Sequence, residues 1–444
     1  MKIKALCLLL FSFAIGRTQF ASADPFVEID DITANISDSI SSDVEIQLKQ
    51  APHLKSFVLE NANDLDLNKL CSLYPGMIEL QIQNGENITS LAPLSALGEL
   101  RRLNIANCQA QDLSSLAGLT KLADLTLECN IYDLAWMKRL TNLRSVTLSS
   151  ENLVSFEGLP FLPLVTSISI CGGQPRDLTA LVQCLPNLKT LELREMILPD
   201  LSPLTKLGSL TDLNLYGSKI SDFSALSGCE HLIRLCYYGT EASDYSSLGK
   251  LLQVQELEGG MTTLTDLSWI GGLSNLKSFT TVAEPIENLG PLAGTSLEKL
   301  ILSELEGKRG EIDLRPVSKM SHLKDLRLLH VEQVKGSVSL GALRQLESLE
   351  VEGYNADSGI EQFDLAGAAS WTRLVKLSLR NVDVLHFEAL DGCRALKSVE
   401  LNDIQGAGDL AALKKLPHLT SLALSGAFSK DAVRGFAPSV EIDQ

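Results

Sequence analysis

The chain has 444 residues, 45% of them hydrophobic, with 55 acidic and 38 basic side chains and a formal charge of −17. That much apolar sequence suffices for a folded core, while so acidic a surface repels phosphate backbones and argues against nucleic acid and anionic membranes as partners. Beyond the N-terminus no stretch approaches eighteen uninterrupted apolar residues, so membrane insertion is not expected.

Residues 1–23 read as a signal peptide: Lys2 and Lys4, an apolar run from Ala5 to Gly16, and Ala21-Ser22-Ala23 as a small-residue cleavage site. Its removal takes Lys2, Lys4 and Arg17 and no acids, so the charge becomes −20. The expected location is secreted, periplasmic or at the cell surface. Residues 24–53 place Phe26, Ile29, Ile32, Ile36 and Ile40 at helical spacing and read as an N-terminal cap.

From Leu54 a short phrase, L-x-x-L-x-L, returns with heads at Leu54, Met77, Leu100, Leu122, Leu143, Val165, Leu188, Leu210, Leu232, Val254, Leu276, Leu297, Leu323, Leu346, Leu374, Leu396 and Leu419. Fourteen of the sixteen intervals are 21 to 23 residues and the others are 26 and 28. In 210–231, Leu213 and Leu215 alternate with Asp212 and Asn214 as in a half-buried strand, and Ile220, Phe223 and Leu226 are spaced three apart as in a 3₁₀ turn. The fourth position is apolar in all seventeen coils, from Phe57 to Leu422, and must form one stacked core.

These repeats resemble the leucine-rich repeat family, most closely its 22-residue internalin-like class of exported bacterial proteins. The resemblance covers the chain from Leu54 onward and rests chiefly on the coils headed by Leu100, Leu188, Leu210 and Val254. It implies an α/β leucine-rich repeat solenoid, or horseshoe, over 54–424, with residues 425–444 as a C-terminal cap. A long parallel β-sheet would lie on the concave face and short helical or 3₁₀ turns on the convex face, in a curved rod on the order of 80 Å long. The family's ninth-position Asn survives only as Asn130; Cys108, Met196, Ser218 and Thr262 stand there in other coils.

Eight cysteines follow the leader, but their places argue against a disulfide framework. Cys184, Cys229 and Cys393 occupy a twentieth position that Leu fills elsewhere and read as small buried hydrophobes. Only Cys108 and Cys129, at the ninth and eighth positions of adjacent coils, could bridge, provided their side chains converge. Asp112, Asp133, Asp177, Asp200, Asp222, Asp244, Asp266 and Asp409 recur near the thirteenth position. One carboxylate per coil is too few for calcium, so they are read as caps accepting backbone N–H bonds. His53, His231, His322 and His418 each precede a repeat head and belong to the repeat turn.

No nucleophile elbow, zinc-protease motif or phosphate loop is present, and Gly406-Ala407-Gly408, the start of a loose dinucleotide pattern, falls in a repeat turn. No catalytic residue, metal or cofactor is expected. Projection of strand positions three, five and seven gives mostly Ser, Thr and Asn. In four successive coils it gives instead Glu192, Arg194, Asp212, Tyr216, Arg234, Tyr238, Glu256 and Glu258, the candidate ligand site. The sixth position is aliphatic in fourteen coils, and its exceptions, Tyr237, Gly259 and Thr281, are consecutive, which predicts a locally opened core below that face. The two long coils add a second candidate, a rim of Lys308, Arg309 and Glu311 in one loop and Tyr354, Asp357 and Trp371 in the other. The expected function is non-enzymatic binding of a protein, or else a glycan, on the concave face, with envelope scaffolding as the alternative and catalysis a distant third.

Overall fold

The structure is a computed structural model and describes residues 27–29, 33–37, 39–242, 244–305, 311–354, 360–408, 410–426, 428 and 433–443. The leader, Asp409, Lys308, Arg309 and Asp357 lie outside the described residues. Two compact units divide the chain, one of residues 1–122 and 127–129, the other of 123–126 and 130–444.

In the first unit, strands Thr33–Ser37, Ser56–Glu60, Glu79–Gln83 and Arg102–Ile105 pair in parallel, one per coil. Helical spacing misled in 24–53. Val27–Ile29 and Thr33–Ser37 form an antiparallel pair, and the helix starts only at Ser42. The exposed edge of Ser56–Glu60 accounts for this, because it offers Thr33–Ser37 a five-residue ladder that an isolated short helix cannot match. Buried Asp66 fastens this segment: one oxygen accepts the Ile40 amide at 2.7 Å, and the other closes a capping box with Asn63 at the start of helix Asp64–Leu73. Cys108 and Cys129 are bridged, with Cα atoms 4.8 Å apart, which matches the spacing of neighbouring strands.

In the second unit every strand of the main sheet from Ser145–Ser149 to Ser398–Asn402 pairs in parallel with the corresponding strand of the next coil, as far as Ser421–Ser425. The tail adds Glu441–Asp443 to that edge. Return legs are mostly 3₁₀ turns with a leucine or isoleucine at the middle. Proline opens three of them, at Pro93, Pro203 and Pro291, where its missing N–H is not needed. Seven of the eight repeat aspartates lie in described residues, and each accepts the amide two residues ahead at 2.7–2.9 Å, an Asx turn leading into the helical turn.

The two long coils spend their extra residues on short outer strands, Glu311–Asp313 with Gln333–Lys335 and Ile360–Asp364 with Val382–Leu385. The rim assigned to them is corrected in part. Trp371 is 1% exposed and donates its indole N–H to Leu340 O at 2.8 Å, so it is core, and Glu311 is paired with Lys335 at 2.8 Å. Tyr354 and Glu311 are the exposed members of that set among the described residues, and Glu311 is already held by Lys335.

All seventeen fourth-position side chains are 2% exposed or less. Leu213→Asp removes one of them and buries a carboxylate between two coils. It should therefore destabilise the protein by more than about 3 kcal/mol in urea unfolding; wild-type stability would contradict the register.

Candidate functional site

Strands Thr190–Arg194, Asp212–Asn214, Arg234–Cys236 and Glu256–Gly260 are aligned so that Thr190, Asp212, Arg234 and Glu256 stand in one row and Glu192, Asn214, Cys236 and Glu258 in the next. Alternation sends Leu191, Leu213, Leu235 and Leu257 inward and leaves these two rows on the open face. They line a cavity of about 190 Å³. Five of the eight predicted residues, Glu192, Asp212, Arg234, Glu256 and Glu258, lie on its wall, whereas Arg194, Tyr216 and Tyr238 do not.

The charges on this wall are unevenly matched. Arg234 Nε donates to Asp212, which also accepts from Thr211 Oγ1 at 2.5 Å. Glu192 accepts from Ser169 Oγ at 2.8 Å and lies 3.6 Å from Arg194 Nε. Glu256 and Glu258 have neither ion pair nor side-chain hydrogen bond among the described residues, and the positions beside them in the next strand are the neutral Ser278 and Thr280. Burial pushes the Cys236 thiol up to about 11, so it stays protonated and unreactive at neutral pH.

Tyr216 and Tyr238 differ from the expectation of exposed anchors. Both are half-buried, in turns that end the two three-residue strands, each followed by a glycine at positive φ, +65° at Gly217 and +61° at Gly239. A backbone ladder joins these turns: Gly217 N donates to Tyr238 O at 2.8 Å and Gly239 N to Gly260 O at 2.7 Å. Burial also pushes the Tyr238 phenol up.

The predicted opening of the core is not there. A Cβ on Gly259 would sit 2.0 Å from Tyr237 Cζ, so the space that glycine leaves is filled by the tyrosine ring of the preceding coil. That ring packs on Phe223 and Tyr245 at centroid distances of 5.8 and 6.1 Å. What the two departures from leucine bring instead is polarity. Among the described residues Tyr237 Oη and Thr281 Oγ1 are buried without partners, and so is Oε2 of Glu284, whose Oε1 accepts from Thr262 Oγ1 at 2.6 Å. Burial raises the Glu284 carboxyl from 4.5 to about 7. Projection of exposed positions missed Glu284, because it holds the ninth, inward position of its coil; comparing that position between coils would have found it beside Thr262.

A second charged zone was also missed. Arg380 reaches Glu400 at 2.8 Å and Glu350 and Glu352 at 3.5 Å, and Arg327 reaches Asp325 at 3.0 Å. Here the acids surround arginines and the zone is cross-linked within itself. The four histidines assigned to the repeat turn are exposed. Of the three cysteines read as hydrophobes, Cys229 and Cys393 are buried and Cys184 half-buried. No three metal-ligating side chains converge among the described residues, and no helix there is long and apolar enough to cross a membrane.

Solved structures similar to this chain are leucine-rich repeat proteins. The Leptospira interrogans protein LIC12759 aligns at 17% identity over 91% of this chain and 93% of its own, with a TM-score of 0.51. TLR13, solved in complex with ssRNA13, aligns at 17% identity over 88% of this chain and 59% of its own, with a TM-score of 0.60. An internalin, inlF of Listeria monocytogenes, aligns at 19% identity over 88% and 96%, with a TM-score of 0.46. No family model matches the sequence, and no curated protein matches it. At these identities the likeness establishes the fold: a leucine-rich repeat architecture built on a long parallel sheet.

The packing of Tyr237 over Gly259 yields a direct check. Gly259→Ala must displace the ring and should cost about 1–3 kcal/mol through overpacking, read as a lowered midpoint in thermal unfolding; an unchanged midpoint would mean that the ring lies elsewhere.

Proposed function

We propose that this leucine-rich repeat chain is an exported, non-enzymatic binding protein that receives a basic side chain of a protein ligand on its concave face, at Glu256 and Glu258. One observation carries the reading: Glu256 and Glu258 line a cavity of about 190 Å³, room for the end of one long side chain, and Arg234, the cation beside Glu256, is already bonded to Asp212. Elsewhere on the same face arginines already neutralise the acids. Arg234 and Asp212 then form a rigid polar wall, while Glu192, Arg194, Tyr216 and Tyr238 shape the margin. Leucine-rich repeat proteins generally act by binding, using an extended sheet surface.

A peptide of alternating lysine and serine is the probe. Glu256→Gln with Glu258→Gln should weaken its binding at least tenfold, about 1.4 kcal/mol, and flatten its salt dependence without changing thermal stability. Equal binding by wild type and variant would remove the site from this face. Tyrosine-to-alanine changes are less suitable, because both rings are half-buried and their loss would disturb packing. Since one protein of this fold was solved with ssRNA13, a single-stranded RNA oligonucleotide is the second arm, and tighter binding of it would overturn the preference for a cationic ligand.

Export is supported by the leader-like residues 1–23 and agrees with the Cys108–Cys129 bridge, since disulfides persist in oxidising compartments. Mass spectrometry of the native protein should find Asp24 as the first residue; a chain that keeps Met1 would overturn the assignment.

A further inference from the structure

Beneath the candidate site three successive coils hold three polar side chains in the apolar core. Tyr237, Thr281 and Glu284 are each 0% exposed, yet Tyr237 Oη, Thr281 Oγ1 and Glu284 Oε2 have no hydrogen-bond partner among the described residues. Tyr237 and Thr281 hold the same position two coils apart, and between them stands only Gly259, over which the tyrosine ring lies. The phenol end therefore points toward the strand of Thr281. Glu284, three residues further along, is close enough to act electrostatically on the Tyr237 hydroxyl.

A buried polar group without a partner is costly, and each one in a native core calls for an explanation. Three within three coils concentrate that cost in one stretch of core. The groups acting on the Glu284 carboxyl are the Thr262 hydroxyl and the Thr262 and Leu264 amides from the preceding coil. Tyr237 approaches from the coil before that, itself packed on Tyr245. On the other side the backbone of Ala283 bonds Ser303 O at 2.9 Å. None of the groups acting on the carboxyl is cationic. Ionised, it would be an uncompensated charge in the core; as the neutral acid it brings no charge there and gains a hydrogen to donate, for which the Tyr237 hydroxyl oxygen is an acceptor.

We propose that a proton on Glu284 holds the floor of the concave site in place, and that its loss loosens the backbone carrying Cys236 and Tyr238. The coupling runs through Tyr237, whose amide donates to Glu258 O at 2.8 Å and whose carbonyl accepts from Thr240 Oγ1 at 2.9 Å. The ligand role of that face is taken from the proposed function; the response of the floor to protons does not depend on it. Because burial lifts the carboxyl from 4.5 to about 7, its contribution to folding is complete below about pH 4.5 and is lost as pH rises to about 7.

The test compares the full mature chain with Glu284→Gln, a neutral isostere, by chemical unfolding from pH 4 to 9. Hydrogen exchange of residues 236–262 is followed at pH 6 and 8 and corrected for intrinsic rates. Relative to the variant, the wild type should lose up to about two orders of magnitude in its folding equilibrium between pH 4.5 and 7. Its exchange in 236–262 should rise at pH 8, while the variant's should not. Parallel stability profiles, or equal exchange in the two proteins, would overturn the proposal. If Glu284→Gln does not fold, Tyr237→Phe serves, since it keeps the ring and removes an acceptor. It should move the wild-type descent to lower pH, and an unmoved descent would count against the proposal. Failure of the lysine peptide to bind would remove the ligand site but leave the pH response standing, so the two ideas fail separately.

Discussion

A coil of 21 to 23 residues has two sides to bury and no partner within itself, so everything here depends on apolar side chains stacking from one coil to the next. The fourth-position residues are buried in every coil, and a fully buried leucine contributes about 1.5–3 kcal/mol of transfer free energy. Parallel pairing follows, because consecutive coils repeat the same direction of chain, and the return leg must close within a few residues, which favours 3₁₀ turns over longer helices. The Asx turns belong to the same constraint. Each aspartate satisfies an amide at the point where the chain bends toward its return leg.

Stacking also dictates how irregularities are absorbed. A side chain missing in one coil must be supplied by an adjacent one, as Tyr237 does over Gly259. The 28-residue coil obeys the same rule: Trp371 fills the interior and reaches back to Leu340 O on the preceding coil, while its additional length forms an outer strand. Insertion therefore builds layers on the return side and leaves the main ladder in register, as Ser348–Glu352 against Lys376–Arg380 demonstrates across that coil.

Much of this was legible because period, alternation and turn chemistry all express the same repeat. Leu213, Leu215 and Phe223 could be assigned to strand and turn from spacing alone, and each is buried as that spacing requires. The failures arose where neighbours, not periodicity, decide. Ile36 and Ile40 fit a helix in isolation, but a strand edge next to them took Thr33–Ser37 into the sheet. Gly259 reads as a void until the reach of a tyrosine one coil away is considered. Trp371 looked like an exposed anchor because an insertion was taken to be a surface loop. On the candidate face, projection brought together Glu192, Asp212, Arg234, Glu256 and Glu258, since strand alternation determines that row. It overestimated Tyr216 and Tyr238, which follow strands of only three residues and turn partly inward.

The acidic side chains show why a net charge of −17 says little about any one of them. Hydroxyl and amide donors hold Asp112, Asp177, Asp222, Asp244 and Asp266 below the usual carboxylate range. Their negative charge is part of the turn and is lost only in acid. Glu400 is held down by the Arg380 guanidinium and by hydroxyl and amide donors against the opposing effect of burial. Glu284 meets the reverse condition: burial outweighs the Thr262 hydroxyl and two amides, and the carboxyl moves upward. Glu256 and Glu258 differ from all of these in having a solvent-facing wall and no side-chain donor among the described residues. A carboxylate whose hydrogen-bonding capacity is already used offers little to a newcomer, and one kept neutral in the core offers no charge. The proposed cation site rests on this contrast along the strands from Glu192 to Glu258.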